Sequence, residues 1–408
     1  MATRREGGRG LERAAALLGL LAIACASARA SAAEPAAPSG VRTYTGPEGP
    51  IAAPSPSAEL APDPAAAIEP APEPAIERPA TIEGPGAVPL PSVEKVEGDR
   101  EEARPLDPRP RHRWIYNNLI GARYNPLGLI NELTLGYRYQ LVDKNSILFN
   151  ESFIAVQAHA VLTPAYAGGG PKLDIQPAAV LNLSVAYDCI GYFGALGSLQ
   201  SFPSATADWS DTRVKELANL GLNYGALTHT VTLSGLLQGK VKNVAVRDNV
   251  KFYWSDFVLR EGDRVFYSQT LDMLLSDRGW ATTNDLDVLY LFDFGLTLGA
   301  RYTYTYAFYD EQHFAPGEEV VNVVGPTHRV GPAIIYTFSK RPDRRFDEPS
   351  LIILSQWWAK HPYRTGQDVH AAIPYFVVAF TFKGDLFPDP ARWHAKTQPR
   401  ERRRRSRR

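Results

Sequence analysis

The chain has 408 residues with 44 basic and 44 acidic side chains, so its formal net charge at pH 7 is zero. This balance argues against a nucleic-acid-binding protein and against general attraction to a membrane surface. The length would allow two or three domains, but the first quarter is rich in Pro, Ala and Glu and cannot bury a core.

Residues 1–32 have the features of a secretory signal peptide. Four arginines occur before residue 14, an apolar stretch follows at 14–24, and Ala30-Ser31-Ala32 matches an A-x-A cleavage site. No later stretch approaches the roughly 18 to 20 apolar residues that a membrane-spanning helix needs. We therefore expect an exported protein that does not cross a membrane by helices.

The two cysteines allow no intramolecular disulfide in the mature chain. Cys25 lies in the signal segment and is lost on cleavage after Ala32, which leaves only Cys189. The alternative is lipidation at Cys25, because small residues precede it. The Leu usually found three positions before a lipidated cysteine is Ala22 here.

Residues 33–113 are predicted to form a disordered periplasmic linker. This segment is rich in Pro, Ala and Glu, has almost no aromatic residues and shows no hydrophobic periodicity. The alternative is a segment that docks on the cell wall or on an inner-membrane partner.

After Trp114, a strict two-residue alternation replaces the low-complexity pattern. Its clearest case is Leu286 to Phe308, where the even positions are apolar or aromatic and the odd positions include Asp287 and Arg301. A helical period of 3.6 would scatter these polar residues around every face. One face of the segment therefore suits hydrocarbon and the other suits water.

The same pattern predicts twelve strands between residues 114 and 383, and an even number suits a closed bacterial barrel. The count is least constrained between Ser198 and Val258, so ten or fourteen strands are the alternatives. The predicted fold is all-β, a transmembrane antiparallel β-barrel of about 12 strands that follows the disordered segment. The predicted strands are 115–124, 129–141, 146–162, 173–193, 214–225, 228–239, 244–256, 264–275, 286–308, 328–339, 351–360 and 371–382.

Connection lengths then predict the topology. An even count with a periplasmic N-terminus returns the C-terminus to the periplasm, which places connections 309–327 and 197–212 outside the cell. Segments 276–284 and 340–350 are predicted to be periplasmic turns.

These features resemble those of Gram-negative outer-membrane β-barrel proteins as a class, over about two thirds of the chain. Aromatic residues gather near the predicted strand ends, as at Trp114, Tyr137, Tyr306 and Trp357, in the manner of an aromatic girdle. The resemblance implies residence in the cell outer membrane. It implies the lipid bilayer, lipopolysaccharide and the barrel assembly machinery as partners, and no nucleic acid.

The end of the chain departs from this class. Its members commonly end on an aromatic residue of the last strand, which would be Phe382, yet residues 384–408 follow. Seven arginines lie between residues 400 and 408. This tail is either a solvated end or a basic segment that binds anionic lipid headgroups or peptidoglycan.

No pattern of an outer-membrane serine hydrolase is present. The pattern of such an enzyme is a barrel strand with a His and a Ser two residues apart on one face. None of the eight histidines in this sequence has a Ser two positions later. His229 and Ser234 are five residues apart, so they fall on opposite faces of a strand.

The sequence contains the residue pairs of a barrel protease of the aspartate and histidine type, but not in the required arrangement. Asp368 and His370 supply one pair, and Asp285 and Asp287 have the spacing of the other. The predicted topology places Asp285 and Asp287 at the periplasmic end, across the membrane from His370. We therefore expect no catalytic residues.

No cofactor or metal site is predicted either. The sequence has no cluster of Cys and His and no His pair at ligand spacing, and Gly168-Gly169-Gly170 lacks the Lys and Ser or Thr of a phosphate-binding loop. The acidic segment 310–319 could bind calcium, but its carboxylates are more often solvated.

The predicted inner face carries charges of both signs, which could line a water-filled pore or pair and close a narrow barrel. The sequence therefore predicts a non-enzymatic pore for small polar solutes. The alternatives are a closed barrel that anchors the envelope through its linker and basic tail, and an outer-membrane enzyme of unrecognised type. The candidate lumen charges are Glu132, Arg138, Asp174, Asp188, Asp287, Asp293, Arg301 and Arg329.

Overall fold

The computed structural model describes residues 111–142, 148–149, 151–322, 324–340 and 345–388. The predicted signal peptide, nearly all of the predicted linker and the Arg-rich segment beyond residue 388 lie outside the described residues. The statements below concern the described part of the chain.

Twelve antiparallel strands close into a single barrel, which confirms the predicted fold class. Each barrel strand pairs with the barrel strands before and after it in the chain, and the first pairs with the last to close the ring. The barrel strands are β1 (His112–Tyr124), β2 (Gly128–Gln140), β3 (Phe153–Leu162), β4 (Tyr166–Ala178), β5 (Leu181–Phe193), β7 (Gly225–Val241), β8 (Val244–Phe257), β11 (Arg278–Leu291), β12 (Leu296–Ala307), β13 (Thr327–Thr337), β14 (Asp347–Lys360) and β15 (Tyr375–Asp385).

Three further strands form a small separate sheet: β6 (Ser201–Phe202), β9 (Val265–Ser268) and β10 (Met273–Ser276). One α-helix, α1 (Asp211–Asn219), and one 3-10 helix, Glu311–His313, complete the described elements. No helix in the described ranges has the length and apolar character that a membrane span requires.

The alternation of the sequence becomes an alternation of faces. On β15, Val377 and Ala379 are buried inside the barrel, whereas Phe376 and Phe380 belong to the outward-facing set. The cross-strand register carries this assignment around the ring, because paired residues point to the same side of a sheet. On β2, the predicted outward set of Leu133 and Leu135 is opposed by an inward set that includes Glu132.

Two segments that we predicted as single strands are hairpins. The segment 286–308 contains the end of β11, a turn at 292–295 and β12, and the segment 173–193 contains the end of β4 and β5. Leu291 pairs with Thr297 and Leu173 pairs with Val185, so odd residues face odd residues across both turns. The same parity therefore holds on both strands of each hairpin, apart from a register shift in β4 between Ile175 and Ala178, and the alternation does not reveal the turn.

Two other predicted strands lie outside the barrel. Segment 214–225 begins within α1, whose first turn is capped by the Ser210 hydroxyl accepting from the Arg213 N–H at 3.2 Å. Segment 264–275 contains β9 and most of β10 of the small sheet. The predicted total of twelve barrel strands is thus correct because two errors cancel: two hairpins were each counted as one strand, and two segments outside the barrel were counted as strands.

The four longest connections between consecutive barrel strands lie at one end of the barrel, the long-loop end: residues 194–224, 258–277, 308–326 and 361–374. The other end, the short-turn end, holds the start of β1, the end of β15 and the turns 179–180, 242–243 and 292–295, together with the connections from β2 to β3 and from β13 to β14. Connections 197–212 and 309–327 share one end, as predicted. The prediction of a periplasmic turn at 276–284 is wrong, because β11 begins at Arg278 at the long-loop end.

The outward face is mostly apolar, with aromatic residues toward both ends of the strands. Trp280 and Tyr290 mark the two ends of this band on β11, with Leu286 and Val288 exposed between them. A carboxylate interrupts it on β8, where Asp248 accepts a hydrogen bond of 2.6 Å from the outward-facing Asn284 amide of β11.

Close packing of β4 against β5 depends on Gly170. A methyl group at this position would overlap the backbone oxygen of Tyr187. We expect Gly170→Ala to lower the free energy of unfolding by about 2 kcal/mol, because a neighbouring backbone cannot give way as a flexible side chain does. Urea unfolding followed by tryptophan fluorescence measures this change.

Gly239→Ala is the matched control, because nothing lies within 4 Å of the methyl group it would introduce. We expect its stability to stay within about 0.5 kcal/mol of the unaltered protein. Equal stabilities of the two variants would contradict the β4–β5 register.

Candidate functional site

The inner wall holds most of the predicted lumen charges. By strand register, seven of the eight face inward: Glu132, Arg138, Asp174, Asp188, Asp287, Arg301 and Arg329. Their role in selectivity stays a prediction.

Asp293 is the exception. It lies in the turn 292–295 between β11 and β12, at the short-turn end, and not on the strand wall. We misplaced it because the alternation of 286–308 continues across this turn, where Gly295 has a φ of 94°.

One sector of the inner wall is built around Arg301 on β12. Its Nε and Nη2 donate to the two oxygens of Asp287 at 2.6 and 2.9 Å, and its Nη1 lies 3.9 Å from Asp285. The Thr303 hydroxyl donates to Asp285 at 2.6 Å. Both carboxylates are thus engaged by groups of the adjacent strand.

Two further arginines belong to the same sector. Arg247 on β8 is 4 % exposed, its Nη1 lies 4.0 Å from Asp287, and its Nε has no hydrogen-bond partner among the described residues. Arg329 on β13 lies over the ring of Tyr375, with its guanidinium carbon 4.0 Å from the ring centre. The Nε of Arg329 and the hydroxyl of Tyr375 are also buried, and neither has a hydrogen-bond partner in the part of the chain that the structure describes.

These groups line a cavity of about 50 Å³. Its polar part consists of the three arginines, Asp285, Asp287, Thr303, Gln356 and Tyr375. The rest is apolar and consists of Leu289, Ala333, Ile335, Ile352, Leu354 and Val377. The cavity thus combines a cationic region and a hydrocarbon region inside one barrel sector.

The sector formed by β2 to β5 carries separate pairs. The His159 Nδ1 lies 2.9 Å from Asp188, and the two side chains meet across the glycine-containing strand β4. The Asn182 amide donates to Asp174 at 2.7 Å. The Arg138 guanidinium donates to Glu151 at 3.4 Å, so charges of both signs occur on this side of the barrel as well.

Our sequence interpretation missed several inward-facing titratable residues. On β8, Arg247 and Lys251 alternate with the outward Val246 and Val250. Lys172 on β4 and His159 on β3 follow the same rule. The two-residue alternation could have identified these residues. The runs of alternating apolar residues in these strands are short, however, and Gly or Asp interrupts them.

The long connections fold over the long-loop end as a cap, defined by residues 194–224, 258–277, 308–322 and 361–374. Its core contains Trp209, Phe266 and Leu274, which are at most 2 % exposed. The same cluster includes Ala281 and Ala307, which face inward near the rim on β11 and β12. The cap therefore packs into this mouth of the barrel.

Asp272 and Arg364 hold the cap together. Arg364 is 2 % exposed and donates through Nε and Nη2 to Asp272, the second bond being 2.8 Å long. Its guanidinium also donates to Asp211 at 2.9 and 3.1 Å and to the Asn125 side chain. One arginine thus joins three cap connections and the β1–β2 turn.

Two more side chains complete the environment of Asp272. The Tyr267 hydroxyl donates to Asp272 at 2.7 Å, and the His361 Nε2 lies 3.3 Å from its carboxylate. Burial would raise the pKa of the Asp272 carboxyl, but Arg364 and His361 together hold that pKa below its usual range. The carboxylate therefore stays ionised in mildly acidic solution.

The candidate catalytic residues are not brought together. Asp368 accepts from the Thr212 hydroxyl at 2.6 Å within the cap, whereas Asp285 and Asp287 face the barrel interior on β11. This corrects our placement of Asp285 and Asp287 at the periplasmic end. His229 faces outward beside Tyr187, opposite in direction to Ser234.

Neither does the acidic segment form a metal site. Glu318 accepts hydrogen bonds from the hydroxyls of Ser204 and Thr206 and from the Ala315 N–H. Among the described residues, no group of three or more His, Cys, Asp or Glu side chains has the arrangement of a metal site.

Comparisons with known proteins give distant structural likenesses alone. No family model matches the chain, and no curated protein is similar to it in sequence. Among solved structures it is similar to OccAB1 of Acinetobacter baumannii, with 13% identity over 63% of this chain and 58% of that chain and a TM-score of 0.31. The chain thus spans less than two thirds of the length of OccAB1.

Two further solved structures share the likeness. The KdgM porin has 9% identity over 67% of this chain and 99% of that chain, with a TM-score of 0.30. The CymD monoaromatic hydrocarbon channel has 11% identity over 67% of this chain and 88% of that chain, also with a TM-score of 0.30. At these values the comparisons assign no function to the chain.

We expect Asp272→Asn to loosen the cap. Removing one partner of a buried ion pair costs about 3 kcal/mol, so the opening equilibrium of the cap should rise roughly 100-fold. Amide hydrogen exchange of residues 264–276, corrected for the intrinsic pH dependence of exchange, measures this opening.

Asp368→Asn is the matched control, since Asp368 is a cap carboxylate bonded to a hydroxyl and not to a buried arginine. Because the folded pKa of Asp272 is lowered, its contribution is complete above the unfolded pKa of about 3.9 and is lost only below it. Protection of the unaltered cap should therefore be the same at pH 7 and pH 5, and loss of protection over this interval would contradict the assignment.

Proposed function

We propose that this protein is a non-enzymatic pore of the Gram-negative outer membrane for small polar solutes. The observation that carries the proposal is the division of one closed wall into an apolar outward face and a charged inward face. A soluble barrel would place its apolar side chains inward.

The height of the apolar band supports a membrane location. Trp280 and Tyr290 lie ten residues apart on β11 and bound its outward face. At about 3.4 Å per residue and a strand tilt of about 40°, this separation spans roughly 26 Å along the barrel axis. That height fits the apolar band of about 25 Å in outer-membrane barrels.

The connection lengths support an orientation. Outer-membrane barrels have short periplasmic turns and longer extracellular loops, so the cap would lie outside the cell and both ends of the barrel sequence in the periplasm. The proposal includes lipid and lipopolysaccharide around the wall and the barrel assembly machinery for insertion. The signal peptide, the linker and the binding of peptidoglycan by the tail belong to it as expectations.

The inner wall supports a water-filled path. Lys172 and Glu132 lie on neighbouring parts of the inward face, and polar groups line the strands between them. Such charges favour hydration and set the preference for ions of one sign. The cap narrows the extracellular mouth, so solutes would pass beside it or during its opening.

The alternative is a closed barrel that anchors the envelope through its linker and basic tail. The observation that favours it is the cap itself, whose buried Asp272 and Arg364 join several connections over the mouth. An enzyme is less well supported, because its candidate residues Asp285 and His370 lie on the inner wall and in the cap, respectively.

Single-channel recording in a planar bilayer tests the pore. Purified barrel, shown to be folded by heat-dependent gel mobility, should give ohmic steps, and Asp272→Asn should increase the fraction of time spent open. Lys172→Glu should shift the reversal potential toward cation selectivity by about 10 mV in a salt gradient.

Asp293→Asn is the control, because Asp293 lies in a turn and not on the strand wall. Its reversal potential should equal that of the unaltered protein. A folded barrel that stays silent both in its unaltered form and with Asp272→Asn would exclude the pore and favour the anchor.

The outward position of Asp248 tests the membrane location. We expect Asp248→Asn to raise the free energy of unfolding in lipid vesicles at pH 8 by about 1 to 2 kcal/mol, because it removes a charge from the apolar band and keeps the hydrogen bond to Asn284. Urea titration in vesicles measures this difference.

Asp256→Asn is the comparison variant, because Asp256 lies near the long-loop end and contacts the exposed Arg278. It should give no gain in stability. A loss of stability in Asp248→Asn would show that this face contacts water or protein rather than lipid.

A further inference from the structure

We infer that the cavity between β8, β11, β12, β13, β14 and β15 is a binding site for a small monocarboxylate with a short apolar chain. The inference deepens the proposed function, because it names the solute class that the lumen would receive, and it rests on that function only for access to the lumen. Three separate observations support it: the excess positive charge of the cavity, its unpartnered hydrogen-bond donors and its apolar lining.

The charges of the cavity do not balance. Three arginines line it with two aspartates, so the formal charge is one positive unit in excess. Arg301 engages both carboxylates, and Arg247 approaches Asp287 at 4.0 Å. Arg329 interacts electrostatically with Asp285 but forms no ion pair within 4.0 Å among the described residues, and its guanidinium packs on aromatic rings. A buried excess cation is costly unless an anion neutralises it.

The cavity also offers donors that the protein leaves unused. The Nε of Arg247, the Nε of Arg329 and the hydroxyl of Tyr375 are each buried without a hydrogen-bond partner in the described structure. Arg247 and Tyr375 are 4 % and 1 % exposed. A carboxylate has two oxygens with about four acceptor positions, which suits two guanidinium N–H groups and one hydroxyl.

The remaining lining selects against a purely inorganic anion. Ile335, Ile352 and Leu354 line the same cavity as the arginines. A hydrated ion such as chloride or phosphate leaves this surface in contact with water, whereas an alkyl chain covers it. The polar and apolar parts together fit a ligand with a charged head and a hydrocarbon end.

The size of the cavity limits that hydrocarbon end. A volume of about 50 Å³ holds roughly four water molecules by the same measure. A carboxylate with a chain of about four carbons, such as butyrate, is of comparable size. Longer chains would have to extend from the cavity along the lumen.

Isothermal titration calorimetry on the full barrel in detergent micelles, in a zwitterionic buffer, tests the site directly. The probes are butyrate, acetate, butanol, chloride and phosphate. Butyrate should bind about tenfold more tightly than acetate, because it buries two additional methylene groups. Butanol should bind at least tenfold more weakly than butyrate, because it lacks the charge.

Four variants locate the site. Arg247→Gln and Arg329→Gln should each weaken butyrate binding at least tenfold, while Lys172→Gln on β4 should leave it unchanged within twofold. Ile352→Thr should reduce the preference for butyrate over acetate and leave acetate binding within threefold. Heat-dependent gel mobility establishes that each variant is folded, and Ile352→Thr keeps the test decisive if an arginine variant does not fold.

The other outcomes of the titration distinguish the binding site from the pore. Chloride or phosphate binding as tightly as butyrate would mean an adventitious ion only and would overturn the inference, as would absence of butyrate binding. Specific butyrate binding by a barrel that does not conduct would uphold the site and reject the pore. Conduction without butyrate binding would uphold the pore and reject the site.

Discussion

Closure of the hydrogen-bonded ring is the constraint on which the rest of the structure depends. In hydrocarbon, a backbone N–H or C=O without a partner costs several kcal/mol, so a sheet with open edges is not tolerated there. The pairing of β1 with β15, from Ile115 with Asp385 to Tyr124 with Phe376, removes both edges at once. Once the ring is closed, each strand has an inside and an outside, and a two-residue alternation assigns every side chain to one of them.

That alternation explains what could be predicted from the sequence. It predicted the all-β class, the barrel and the inward direction of residues such as Glu132 and Arg301, because these depend only on parity. It could not predict where hairpins turn when paired residues share the same parity, as at Leu291 and Thr297. Asp293 was misplaced for that reason, and the total of twelve strands was reached through errors that cancelled.

The cap lay beyond this reasoning for a different physical cause. Its order depends on contacts between connections far apart in sequence, such as Arg364 with Asp211 and Asp272, and no local period encodes such contacts. Segment 264–275 looks like a barrel strand because it is apolar and rich in β-formers, yet it is buried in the cap core. Composition distinguishes buried from exposed strands here, but it does not say which core buries them.

In this molecule, structural charges differ from charges suited to ligand binding in how fully the protein compensates their burial. Arg364 donates to two carboxylates and an amide side chain, so its burial is compensated within the protein and serves to fix the cap. Arg247 and Arg329 are held inside the barrel with an Nε unpartnered, beside an apolar lining. Full compensation would have made that sector more stable and left nothing for a solute to bind. Incomplete compensation of buried cations, and not their number, therefore marks the sector of the lumen suited to ligand recognition.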